Sequence, residues 1–525
     1  MRPVTVLFLA WAALALVCQG QPLRPPPADP PVSAAPPGAP IGTDPAVVRG
    51  FELAKLYCQS CHLFPEPDLL DKRTWREQTL PRMAVRLGLM PALLERHPEF
   101  ALLKATGVFP EKPILPLEDW NVLTNYYVTT APAEAIAQGG RDEIGVGLRH
   151  FRYEKPVGPK AVPATTLVSI WDEGGMIVVG DGQRKLLDVY SADGKFKTTT
   201  PVGNIPVWMG DGPMGHYLAC IGSFLPSDRT LGDLRRLQPP GAGFGTSSLV
   251  LTNLPRVTHA AFGDLNGDGR PDFTLCIYGH TVGRFSWFEA RPDGTFREHE
   301  LINKPGSIRS EIKDFDGDGT PDIAVLVAQD TEAMWIYSND GKGRFTPHLV
   351  FQKPPLFGHT YFESVDFNKD GKLELLVTNG DNGEYASPTK NYHGVRVYAN
   401  TGDLKFKQVL FYPLNGAFKA IARDFDRDGD LDMAAISFFP DYKLSPEESF
   451  VYLENNGRFR FKAATFRECI SGRWLTMDAG DLDGDGDQDI VLGSYIHGPS
   501  EVPEFLLHDW ETVGAPFVIL RNTLK

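Results

Sequence analysis

The sequence predicts a multidomain chain: a small all-α domain followed by an all-β propeller, most simply of seven blades. Three observations carry this. An acidic motif, Asp-x-Asp/Asn-x-Asp-Gly, starts at Asp264, Asp314, Asp366, Asp424 and Asp481, at steps of 50, 52, 58 and 57 residues. Short apolar runs and turns surround each copy, four strands to each period, which is the pattern of a propeller blade. Ahead of the repeats, Leu117, Trp120, Leu123 and Tyr127 recur at the three- and four-residue spacing of a helix face.

The first segment, 1–20, reads as an export signal. Arg2 supplies positive charge and Val4 to Val17 is apolar, too short a run to span a bilayer comfortably. Cys18 leaves a lipid anchor as an alternative, although Val17 before it is bulky for an attachment site. Residues 21–45 are rich in Pro and Ala and read as an extended linker. No later apolar stretch is long enough for a membrane-spanning helix. The net charge of −14 argues against nucleic acid as a partner.

The all-α domain covers 46–132 and holds Cys58-Gln59-Ser60-Cys61-His62. Two thiols three apart, followed at once by an imidazole, suit covalent attachment of one haem c: the thiols add across its vinyl groups and His62 supplies the proximal axial nitrogen. A redox dithiol does not need the adjoining His, and a zinc site lacks its second pair of ligands. Attachment of this kind takes place outside the bacterial inner membrane, in agreement with export. The remaining thiols, Cys220, Cys276 and Cys469, make no disulfide framework and read as small buried hydrophobes.

The domain resembles class I cytochrome c, in which a helix before the haem motif crosses a C-terminal helix at a close contact. That resemblance gives Gly50 and the cluster Trp120, Tyr126 and Tyr127 those roles. It also favours Met83 as distal ligand, because Leu80-Pro81-Arg82-Met83 is similar to the family's Pro-then-Met approach. Met90 is the alternative, with His97 or an open site after it.

Residues 133–162 read as a connector, in which Leu148 to Tyr153 forms a strand that closes the next domain. The region 163–525 holds 363 residues, about 52 for each of seven blades. Five blades carry the acidic loop. Thr165–Trp171, Met176–Val179 and Leu186–Tyr190 supply strands of one further blade, and Val207–Met209 and Tyr217–Ile221 of another. Six or eight blades are the alternatives.

In each loop, carboxylates or amides at positions 1, 3 and 5, the carbonyl at position 7 and an acid at position 9 suit the irregular oxygen cage of Ca²⁺, with Gly at position 6 for the bend. The candidate ligands are Asp264, Asn266, Asp268, Arg270 (backbone) and Asp272; Asp314, Asp316, Asp318, Thr320 (backbone) and Asp322; Asp366, Asn368, Asp370, Lys372 (backbone) and Glu374; Asp424, Asp426, Asp428, Asp430 (backbone) and Asp432; and Asp481, Asp483, Asp485, Asp487 (backbone) and Asp489. About five Ca²⁺ would offset much of the negative charge. The loops resemble the FG-GAP/VCBS repeats of integrin-alpha-like propellers, whose hairpins bind calcium.

The strand entering each loop offers a second candidate site. Five residues before the first Asp stand His259, Arg309, Tyr361, Lys419 and Thr476; three before it stand Ala261, Glu311, Glu363, Ile421 and Asp478. In a propeller this strand is innermost, so the ring His259, Arg309, Glu311, Tyr361, Glu363, Lys419 and Asp478 would line the channel, either as a ligand site or simply pairing blade to blade. Long polar connections, Asn379 to His393, Ser437 to Glu448 and Ser494 to Gly514, enlarge the face opposite the acidic loops.

Throughout, the chain resembles bacterial exported proteins that combine cytochrome c with FG-GAP/VCBS repeats. The resemblance implies a periplasmic or extracellular electron-transfer protein, without turnover of its own, whose propeller docks an unidentified redox or envelope protein or a glycan. The alternatives are a propeller oxidoreductase acting on a sugar or alcohol and passing electrons to the haem, and an envelope adhesion protein.

Overall fold

The computed structural model describes residues 44–171, 174–238, 247–329, 331–383, 389–457, 459–499 and 501–524. The export signal, Cys18 and nearly all of the 21–45 linker lie outside the described residues. The chain forms two units, one reaching Ala137 and including Lys353–Leu356, the other made of Gln138–Gln352 and the residues from Phe357 on.

The first unit is built from helices, with no strand among its described residues. Its N-terminal helix, Pro45–Cys58, starts where Pro45 takes the first position and the Asp44 carboxylate accepts from Ala46 N at 2.9 Å. The C-terminal helix, Leu117–Thr130, places Glu118 and Asp119 in its first turn, where carboxylates favour the positive end of the helix dipole. The two cross at Gly50. A Cβ there would lie 2.6 Å from Tyr126 Cβ and 2.7 Å from the Val122 carbonyl, so only glycine allows this approach.

The second unit is a seven-bladed β-propeller. Blades one to five are four-stranded antiparallel sheets spanning 165–201, 206–254, 257–302, 307–352 and 359–413. The sixth and seventh take their main strands from 417–465 and 474–522. Both loop-free blades fall where the strand pattern puts them. The second strand of every blade that carries an acidic loop is buried along its whole length: Asp272–Ile277, Asp322–Val327, Glu374–Asn379, Asp432–Ser437 and Asp489–Ser494. After the acid that opens each of them these strands are mostly apolar, because both sheet faces pack on neighbouring blades.

The 133–162 stretch belongs largely to the disc. Phe151–Glu154 pairs antiparallel with the last strand, Phe151 opposite Asn522, and completes the seventh blade. Gly145–Val146 pairs parallel with Ala464 and Thr465 at the edge of the sixth. Ring closure on the other side is apolar: Val168, Ile177 and Tyr190 of blade one pack with Leu482, Val491 and Phe517 of blade seven. Among the described residues, no helix is long and apolar enough to cross a membrane.

Candidate functional site

Three groups of residues singled out in the sequence are brought together locally. The first surrounds Cys58, Cys61 and His62. Both cysteines are half-buried thiols rather than a disulfide. Burial pushes the Cys58 thiol up to about 12, hydrogen bonding with Tyr127 opposes this, and Cys61 adds to it. The His62 Nδ1 lies 2.8 Å from the Leu63 carbonyl. A carbonyl only accepts, so Nδ1 carries the proton and Nε2 keeps its lone pair. Burial also lowers the imidazole's affinity for a second proton, with the Leu63 bond opposing. A neutral imidazole oriented through its other nitrogen is the form that ligates iron.

An aromatic cluster packs around this segment. The ring of Tyr127 lies 4.3 Å from Trp75, 5.2 Å from Tyr126 and 6.3 Å from Phe64, and Phe51 lies 5.6 Å from Tyr126. Tyr127 donates to the Pro65 carbonyl at 3.0 Å, and Trp75 Nε1 to that of Pro67 at 2.8 Å. A cavity of about 420 Å³ is lined by Leu80, Pro81, Met90, Trp120 and Thr124, among others. Met90 belongs to that lining and Met83 does not; Met83 sits inside the helix Leu80–Arg86. His97 Nδ1 accepts from Glu99 N at 3.1 Å.

The second group is the five acidic loops, each joining the first and second strands of blades three to seven. All five wind the same way. The first residue accepts from the amide of the sixth, a glycine: Asp264 from Gly269 at 2.8 Å, Asp314 from Gly319 at 2.8 Å, Asp366 from Gly371 at 2.9 Å, Asp424 from Gly429 at 3.1 Å and Asp481 from Gly486 at 3.0 Å. Those glycines have φ between +78° and +96°, the left-handed region that a side chain disfavours. The fifth residue accepts from the amide of the seventh, as Asp318 does from Thr320 at 2.7 Å.

Three loops bring three carboxylates within 4.8 Å of one another: Asp314, Asp316 and Asp322; Asp424, Asp426 and Asp428; and Asp481, Asp483 and Asp485. The other two carry Asn266 and Asn368 at the third position, so an amide replaces a carboxylate there. Such oxygen-only donor sets match a hard divalent cation.

The ninth residue is engaged with the backbone. In every loop it is fully buried and clamps backbone amides. Asp322 accepts from Phe315 N and Asn339 N, both at 2.9 Å; Asp272 accepts from Leu265 N at 3.1 Å and Ala290 N at 2.7 Å. Asp489 accepts from Leu482 N at 3.2 Å and Asn522 N at 2.7 Å, and Arg521 donates to it at 2.7 Å. Burial pushes the carboxyls of Asp322, Asp432 and Asp489 up to about 6, against these hydrogen bonds. Sequence reasoning missed this clamp, and also the side chain of Asp487. That carboxylate is buried, with neither oxygen meeting a donor among the described residues, and burial beside Asp485 and Asp489 pushes it up to about 7. The available signal was an acid at position 7 where three of the loops have Arg270, Thr320 and Lys372.

The third group is the inner-strand ring. In all seven blades the pairing of the innermost strand slips between its first and third residue. The third residues are Leu167, Trp208, His259, Arg309, Tyr361, Lys419 and Thr476, so a bulge re-aims each ring position. Their side chains meet across blades. The Trp208 and His259 rings lie 4.7 Å apart; Arg309 Nη1 donates to His259 Nε2 at 3.1 Å. The Arg309 guanidinium lies 4.6 Å from the Tyr361 ring centre and Lys419 Nζ 4.9 Å from it.

The acids two residues on are engaged with the next blade. Glu311 accepts from Ser364 N at 3.1 Å and pairs with Arg309 at 3.0 Å and Lys313 at 3.2 Å. Glu363 accepts from Ala422 N at 2.5 Å and lies 3.4 Å from Arg423. Asp478 accepts from Ile170 N at 2.8 Å. For these carboxylates, pairing between blades is therefore what the geometry displays.

The long connections all join second to third strands, on the face opposite the acidic loops. That of blade seven holds the helix Glu504–Val513, anchored by buried Leu506 and Trp510, with Trp510 Nε1 donating to the Ile470 carbonyl at 2.8 Å.

Comparison with known proteins agrees with the repeat. A model of the FG-GAP-like repeat matches residues 264–325, 314–377 and 366–435. No curated protein matches the chain. Among solved structures, a mercury-soaked crystal of BBS1N in complex with ARL6DN is 10% identical, covering 72% of this chain and 98% of that one, with a TM-score of 0.43. A lead-soaked crystal of the same complex is also 10% identical, covers 71% and 97%, and has the same TM-score of 0.43. FG-GAP repeats thus occupy blades of the seven-bladed propeller, a disc able to serve as a binding module.

Proposed function

We propose that this is an exported c-type haem electron-transfer protein whose calcium-stabilised propeller docks a redox or envelope partner. The observation that carries the reading is the state of His62: neutral, with Nδ1 on the Leu63 carbonyl and Nε2 available, directly after two thiols at attachment spacing. Cys58 and Cys61 would hold the haem and His62 would ligate it; bound haem supplies a one-electron couple. Phe51, Phe64, Trp75, Tyr126 and Tyr127 would pack on one side of it, and an apolar surround would tune its potential. Met83, or Met90 on the cavity lining, would be the further residue to hold the haem.

Calcium enters the same reading through the acidic loops. Carboxylates crowded within 4.8 Å repel each other unless protonated or neutralised, and five divalent ions would hold the hairpins closed. The pyridine haemochrome spectrum and intact mass of protein exported with a working maturation system test the haem. One tetrapyrrole, lost in Cys58→Ala/Cys61→Ala, is the expected result; an unmodified mass refutes the redox reading and leaves a binding disc.

A further inference from the structure

We propose that the propeller channel is a binding site for a small oxyanion, a carboxylate or a phosphoryl group, held by Arg309, Lys419 and the Nδ1–H of His259. The inference does not depend on the haem.

It begins with a tautomer. Arg309 has only donors, so its Nη1 at 3.1 Å obliges His259 Nε2 to accept. The proton of the neutral ring then sits on Nδ1. His259 is only 7% exposed, and its Nδ1 meets no acceptor among the described residues. The Nε–H of Arg309 is in the same position. Two side chains hydrogen-bonded to each other thus each carry a buried N–H that meets no acceptor among the described residues, and each such group is costly to bury.

Lys419 adds a third donor group. It shares the Tyr361 ring with Arg309, and one of its N–H bonds goes to the Met477 carbonyl at 2.6 Å. Burial, then the facing Arg309, lowers its pKa to about 8, with Asp478 and Glu363 opposing. Burial and the same two cations hold His259 well below its ordinary range, consistent with a neutral ring.

The nearby acids do not cancel this excess. Glu311 is engaged by Ser364, Arg309 and Lys313, Glu363 by Ala422 and Arg423, and Asp478 by Ile170 N and Ala479 N. Each of the three has one oxygen on a backbone amide of the next blade, Ser364, Ala422 or Ile170. What remains at the level of the third residues is a surplus of donors beside two aromatic rings, Trp208 and Tyr361. An oxyanion supplies several acceptor lone pairs and a compensating charge in one group.

The test is calorimetric titration of the full calcium-loaded chain with succinate and, separately, methylphosphonate, at constant ionic strength in sodium chloride. One saturable site is expected for at least one probe, and which probe binds assigns the carboxylate or phosphoryl class. Lys419→Met and Arg309→Gln should each weaken binding at least about tenfold. Lys462→Met, on an exposed outer strand, should not. No saturable site for either probe, or affinities unchanged in both ring variants, overturns the proposal. Should a ring variant lose cooperative unfolding, the wild-type ¹⁵N resonances of His259 decide: an Nδ1 shift that saturates with the probe supports the site, and an unmoved resonance refutes it.

Discussion

At Gly50 and Asp322, contacts of single atoms decide what the fold tolerates. At Gly50, a Cβ would lie 2.6 Å from Tyr126 Cβ, and backbone on the other side leaves little room to relax. Gly50→Val should therefore destabilise the helical unit by about 1–3 kcal/mol, the usual cost of overpacking, read as a lower urea midpoint for loss of helical ellipticity. At Asp322, the side chain serves two buried amides, Phe315 N and Asn339 N. Asp322→Ala strands both, and about 2–4 kcal/mol of propeller stability should go with them in equilibrium denaturation, even without calcium. The sequence marked both residues, but for Asp322 it suggested a ligand role, whereas what the structure displays is a clamp on two amides. A ligand pattern is visible in residue spacing, whereas a clamp reaching strand three depends on register that spacing does not encode.

At the scale of the element, the acidic hairpin was legible because all its constraints are local: a left-handed glycine, an acid or amide at positions 1, 3 and 5, and a buried strand beginning at the acid in position 9. The inner-strand bulge was not, since it is a mismatch between two strands and leaves no residue signature of its own. The hairpins carry a pH dependence with a definite sign. Asp322, Asp432 and Asp489 have carboxyls pushed up to about 6 in the folded state, above the ordinary value of 3.8. The folded, metal-free chain therefore binds protons between those values that the unfolded chain does not. Its stability should rise as pH falls from 7.5 towards 5. With saturating calcium the direction should reverse, because protons then compete with the ion. Thermal melts of decalcified and calcium-loaded protein at both pH values check this; parallel trends would exclude these loops as the calcium sites.

For the whole molecule, the closure strand was foreseen near 148–153, and the structure places it at Phe151–Glu154, pairing with Phe517–Asn522. A chain cut at 163 should thus lose the outer strand of blade seven and the 145–146 edge of blade six, and unfold at clearly lower denaturant or self-associate through the bare edge. A chain cut at 138 should keep a monomeric, cooperative disc. Size-exclusion chromatography and urea titration separate the two. Blade number was legible from period length once the two loop-free blades were counted by their strands; the donor surplus in the channel was not, because it arises where side chains from successive blades converge.

That last pairing joins stretches more than 360 residues apart in the chain, while the helices of the first unit are made from neighbours. Closing so long a loop is entropically slow, and local contacts form well before it. The order of assembly follows: the segment bearing Cys58 and Cys61 can take shape early, while the disc stays an unsealed fan until its final strand arrives. During that interval the unpaired edge of the seventh blade should be the first place a protease cuts, which limited digestion during refolding would show.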